Sequence, residues 1–120
     1  MENKSVIDII DKKFFEKRIR EMSDYGYNSL VFCVIDSVYS ISAKYASTKA
    51  VVERFANYIN KSTKDQYLIS DFIQDFGDVE VNELAQNIFK NRQRTSTRNG
   101  ILKADAVVQF INILKAHGIE

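Results

Sequence analysis

The sequence predicts an all-α domain, a compact bundle of five to seven short helices around one buried central helix. Three observations predict it. The stretch Asn28–Ile41, NSLVFCVIDSVYSI, is apolar on every side apart from Asp36, and a helix that is apolar all round is buried. The rest of the chain repeats apolar residues at three- and four-residue spacing and shows no run of strict alternation. The chain contains no proline, where average usage gives about six, so nothing interrupts a helix interior.

Length and composition set the frame. A chain of 120 residues suits one domain spanning 1–120, and 45% hydrophobic with 28% charged residues is an ordinary globular balance. The single cysteine, Cys33, lies in the most apolar run and reads as a small buried hydrophobe in a reducing, cytoplasmic setting. No apolar run approaches the ~18 residues of a membrane span, and the start MENKSVIDIIDKK is not a secretory signal. Net charge is +1, but it is unevenly spread: residues 61–89 carry −4 and residues 90–120 carry +4.

In order, Ser5 opens a first helix with Val6, Ile9, Ile10, Phe14, Ile19 and Met22 on one face, and Gly26 supplies the turn that follows. Asn28 is placed to cap the central helix, which runs over 28–43. Ser47 or Thr48 caps a third helix bearing Ala50, Val51, Phe55, Tyr58 and Ile59. A fourth carries Tyr67, Leu68, Phe72, Ile73 and Phe76 and stops at Gly77. Asn82 caps a short fifth helix with Leu84, Ala85, Ile88 and Phe89. The last helix, ILKADAVVQFINILKAH, buries Ile101, Leu102, Val108, Ile111 and Leu114, widened by Ala104, Val107 and Phe110. Gly118 sits where a C′ glycine belongs.

The candidate site is the loop between the last two helices. Lys90, Arg92, Arg94, Arg98 and Lys103 fall close together with no acid among them, and Thr95, Ser96, Thr97 and Asn99 interleave small hydrogen-bonding groups. Gly100 lets backbone approach a ligand at the start of a helix, where free N–H groups favour anions. Point charges, guanidinium forks and small donors are what a phosphate backbone requires. The competing reading pairs these cations with Asp71, Asp75, Asp78, Glu80 and Glu83. Asp36, a lone carboxylate in an apolar helix, is either a satisfied structural group or a catalytic acid or base. His117 reads as a cation at a helix C-terminus. No motif for catalysis, metal or cofactor is present, so no catalytic residue is assigned. Tyr25, Tyr27, Tyr39 and Tyr45 flank the central helix and could line a groove.

Two segments carry a family resemblance. SLVFCVIDSVYSISAKYASTKAVVERF is a buried helix, a break of small polar residues and a helix with Lys49-Ala50. NRQRTSTRNGILKADAVVQFINIL is a polar loop followed by Lys103-Ala104 opening a helix. Over Leu30 to Leu114 this order resembles the N-terminal half of the helix-hairpin-helix DNA glycosylase (endonuclease III-like) superfamily. The resemblance implies DNA as partner and a role near DNA repair. The family's hairpin, catalytic aspartate and lysine and iron–sulfur cysteines lie downstream, beyond Glu120, so the resemblance transfers no catalytic residue. It also implies either a fragment of a longer protein or a small relative without glycosylase activity. The functional expectation is a non-catalytic helical domain that contacts DNA through the basic loop. The alternative is a protein-interaction or assembly module that self-associates through an apolar face.

Overall fold

Nine consecutive side chains, Val31 to Tyr39, are buried, and they belong to one helix. A computed structural model describes residues 27–119. Helix α1 spans Leu30–Tyr39, α2 Tyr45–Tyr58 and α3 Ile69–Phe76. A single helical turn, α4, covers Val81–Glu83 and passes directly into a π-helical segment, Leu84–Ile88. Helix α5 spans Lys103–Ala116. Among the described residues there is no strand, only an isolated antiparallel bridge between Arg94 and Leu102. The all-α bundle around a buried central helix is therefore the observed architecture: α1 packs against α2, α3 and α5. The expected first helix, with Ser5 and Met22, lies outside the described residues.

The central helix is shorter than the 28–43 expected. Its N-cap is Ser29, not Asn28, and the Ser29 hydroxyl does not cap the helix. It donates to the Asp65 carbonyl (3.0 Å) and accepts from the Tyr67 N–H (2.6 Å), tying the loop before α3 to the start of α1. At the other end the chain leaves the helix after Tyr39 and turns through Ser42, whose φ is 50°. Asp36 is wholly buried and accepts from the Tyr27 hydroxyl (2.9 Å) and the Ser40 hydroxyl (3.3 Å). It is a satisfied structural carboxylate, which is what a buried charge needs.

Helix α2 buries Thr48, Val51, Val52, Phe55 and Ala56, a stripe at positions i, i+3, i+4, i+7 and i+8. Thr48 is thus an interior residue and not the expected cap. Its hydroxyl donates to the Tyr39 carbonyl (3.0 Å) and satisfies the end of α1. Tyr58 has drifted off the stripe and is exposed, resting on the Phe76 ring with centroids 6.1 Å apart. Phe55 is the hub of the core. Its ring meets Phe32, Tyr67, Phe72, Phe76 and Phe89 at centroid distances of 5.5–6.3 Å, within the range of favourable aromatic pairs.

Asp71 in the first turn of α3 accepts the Leu68 N–H (3.0 Å), and Asp75 accepts the Tyr67 hydroxyl (2.6 Å). Helix α4 is capped by Glu80 and not by Asn82. Helix α5 ends in a Schellman motif: the Gly118 N–H bonds the Lys115 carbonyl, the Ile119 N–H bonds the Leu114 carbonyl, and Gly118 takes φ 70°. Gly118 is the C′ glycine expected, and His117 is the C-cap itself. Cys33 is buried, as a small core hydrophobe.

Candidate anion site at the loop before α5

The loop is held at both ends by the core. Upstream, Phe89 is buried, and Arg54 of α2 donates to the Phe89 carbonyl (2.8 Å) and the Lys90 carbonyl (3.3 Å). Lys90 takes φ 54° as the chain leaves the π-helical turn. The Asn91 side chain accepts the Gln93 N–H (2.8 Å). The two arms then pair: Lys103 N–H to the Gln93 carbonyl and Thr95 N–H to the Ile101 carbonyl, both 2.8 Å. The Thr95 hydroxyl accepts the Ile101 N–H in return (3.2 Å). At the tip the Ser96 hydroxyl donates to the Arg98 carbonyl (2.6 Å), and Asn99 takes φ 61°. The segment is a pinned hairpin; Ile101 and Leu102 lie at its base ahead of α5 and, like Val108 within the helix, are half-buried and packed against the core rather than fully buried.

Gly100 has a different role from the one expected. A Cβ there would collide with the Ser96 carbonyl oxygen and nitrogen and would lie 2.9 Å from Ser96 Oγ. The missing side chain makes room for the loop's own backbone, not for a ligand.

Lys103 also departs from expectation. It is 1% exposed, so it is not part of the exposed cluster. Its ammonium donates to the Ile41 carbonyl (2.6 Å), the Gln93 Oε1 (3.2 Å) and the Tyr39 carbonyl (3.3 Å), and it sits 5.9 Å from the centre of the Tyr39 ring. The lysine supplies from α5 the donors that the C-terminal end of α1 lacks. All three acceptors are neutral, and burial pulls its pKa below the usual lysine range. Its spacing was the clue. Lys103 lies four residues before Val107 and seven before Phe110, on the buried face of α5.

Lys90, Arg92, Arg94 and Arg98 remain as an exposed cationic group. Arg94 spends one N–H on the Gly100 carbonyl (2.9 Å). Among the described residues none of the four forms an ion pair, and Asp71 and Asp75 serve α3 and Tyr67 instead. Between the hairpin and the turn after α1 lies an open cavity of about 610 Å³. One wall is Ser42 in the turn after α1, the other the segment from Gln93 to Thr97, and Lys103 is at the floor. Ser96, Thr97 and Asn99 are exposed, while Thr95 is 8% exposed.

Of the tyrosines considered for a groove, Tyr27 is half-buried and donates to Asp36. Tyr39 is buried and Tyr45 exposed, while Tyr25 is outside the described residues. The large apolar side chains left exposed among the described residues are Tyr45, Tyr58 and Ile119. No helix among the described residues is long and apolar enough to cross a membrane. No three or more His, Cys, Asp or Glu side chains among them come together as a metal ion would need.

No curated protein and no solved structure matches the chain. A family model described as a domain of unknown function matches residues 5–120, and the chain accordingly belongs to that family, DUF8548.

Proposed function

We propose that this domain binds nucleic acid, contacting the DNA backbone through the exposed cations of the loop before α5, and that it does so without catalysing a reaction. One observation carries the reading: Lys90, Arg92, Arg94 and Arg98 stand on a hydrogen-bonded hairpin and, among the described residues, have no acidic partner. Cations left unneutralised on a preorganised loop suit a polyanion, because phosphate contacts need charge and fixed position but no particular pocket. The likeness of Leu30–Leu114 to the first half of the helix-hairpin-helix glycosylases supports DNA as that polyanion.

The test is fluorescence anisotropy on a labelled duplex of ~20 base pairs across a salt series. If Arg92, Arg94 and Arg98 each meet one phosphate, the triple alanine variant binds with a log–log salt slope shallower by about 2.7, at about 0.9 per contact. Its fold should survive, since all three side chains are exposed. Equal affinity and equal slope for the variant and the parent would remove the loop from DNA binding.

A further inference from the structure

The open cavity between the Gln93–Thr97 arm of the hairpin and the turn after α1 has the chemistry of an anion site. Two of its lining residues are buried polar groups. Lys103 brings a positive charge whose three hydrogen bonds all end on neutral oxygens, so no described carboxylate cancels it. Thr95 is 8% exposed, and its oxygen accepts from the Ile101 N–H, so its own proton is left to donate. Arg94 keeps four of its five N–H donors after its bond to Gly100. Ser42 and Thr97 add hydroxyls at the mouth. Among the described residues no acid and no large apolar side chain lines the space. Helix α5 begins at Lys103 without a side-chain cap, and Asp105 is the acid of its first turn.

The occupant is therefore an anion with several acceptors. A volume of about 610 Å³ exceeds a bare phosphate and falls in the usual range of small-molecule sites, leaving room for an attached nucleoside. We propose that this cavity takes a phosphomonoester. Resting on the nucleic-acid reading above, that group is the terminal phosphate of a strand. A monoester carries close to two charges at neutral pH and an internal diester one, so the Lys103 and Arg94 charges favour strand ends over internal backbone.

The experiment compares three duplexes of ~20 base pairs, one ended only in hydroxyls, one 5′-phosphorylated and one 3′-phosphorylated. In parallel, adenosine monophosphate and adenosine are titrated by calorimetry. The expected result is about tenfold tighter binding of one phosphorylated duplex, the worth of one charge-assisted hydrogen bond. That preference should fade below pH ~6 as the monoester dianion is protonated to the monoanion. Thr95→Ser should keep it and Thr95→Val lose it. Thr97→Trp, at an exposed position, should block the mouth even if Thr95→Val fails to fold. Arg92→Ala/Arg98→Ala should weaken all three duplexes alike. Equal affinity for the three duplexes with no response to the monophosphate overturns the pocket and leaves the loop reading standing. Monophosphate binding abolished by Thr97→Trp, with no duplex bound at all, supports the pocket, makes a free nucleotide its source and overturns the loop reading.

Discussion

Replacing Lys103 by Met tests the tie between α1 and α5. Methionine keeps an unbranched apolar stem but removes the ammonium and its three hydrogen bonds. The three acceptors do not suffer equally. Gln93 is exposed, so its side chain turns to water. The Tyr39 carbonyl still accepts from the Thr48 hydroxyl at 3.0 Å. The Ile41 carbonyl is half-buried, and Lys103, at 2.6 Å, is its one described donor. The loss is thus one short charge-assisted bond with its acceptor stranded, and net values for such bonds already include desolvation of the ammonium. That gives about 2–3 kcal/mol of destabilisation. The assay is urea denaturation followed by circular dichroism, with the slope checked to be unchanged. A companion variant, Thr48→Val, strips the other donor from the Tyr39 carbonyl. In the double variant that carbonyl is orphaned altogether, so the two effects should exceed their sum by about 1 kcal/mol. A Lys103→Met protein as stable as the parent, or more stable, would refute the reasoning. It would mean that burying the ammonium costs as much as its carbonyls return.

Further predictions come from the core and from pH. Phe55→Ala empties the aromatic hub and should cost about 3–5 kcal/mol in the same denaturation experiment, and a cost under 1 kcal/mol would show that the surrounding rings close the gap. Ser37 is fully buried and its hydroxyl oxygen has no hydrogen-bond partner among the described residues; Ser37→Ala should therefore stabilise by about 1 kcal/mol through relief of that desolvation, seen as a rise in the urea midpoint. Burial, with hydrogen bonds to Asp36 and Asp75 respectively, pushes the Tyr27 and Tyr67 hydroxyls above the usual 10.0, and burial alone raises Tyr39. The unfolded chain then loses these protons first, so stability holds below pH 10 and declines above it, by at most about 1.4 kcal/mol per pH unit per tyrosine. Lys103, lowered by burial, works the opposite way: its cost is relieved as pH rises toward 10.5, and Lys103→Met should sharpen the alkaline decline. An unfolding midpoint flat to pH 11.5 would contradict the tyrosine assignment.

How much of this was legible depends on the range of the interaction. Apolar spacing is local, so Val51 and Phe55 of α2, Phe72 and Phe76 of α3 and the glycine end of α5 could be read from residues a few positions apart, whereas Val52, Ala56 and Ile69 were missed and Ala50, Tyr58 and Ile59 lie off the buried face. Helix starts could not. Asn28 and Thr48 look like caps, yet the N-cap position of α1 falls to Ser29, whose hydroxyl serves the loop at Asp65 and Tyr67, and the Thr48 hydroxyl serves the end of α1. Hydroxyls bond to whichever orphan group the fold brings near, and that partner is tens of residues away in one case and nine in the other. The π-helical turn at Leu84–Ile88 was also hidden, since a single wider turn leaves no periodic signature. In the site, composition marked the loop but blurred two kinds of cation. Arg92, Arg94 and Arg98 sit where no apolar stripe passes, whereas Lys103 shares a helix face with Val107, Phe110 and Leu114. Weighing the lysine by helical position instead of by its charged neighbours would have placed it inside.

The same residue links the fold to the proposed pocket. Lys103 closes the end of α1 with donors that leave its charge uncompensated, and the turn it holds, through Ile41, carries Ser42 to the wall of the cavity. An anion bound there would offset a charge that burial now penalises, so occupancy and folding should be linked. A ligand stabilising only the hairpin would leave local opening at the end of α1 unchanged. One acting through Lys103 would raise hydrogen-exchange protection at Ser40 and Ile41, whose N–H groups bond the Asp36 and Val38 carbonyls. Protection confined to Thr95 and Ile101 in the presence of adenosine monophosphate would separate the pocket from the helix tie and count against this coupling.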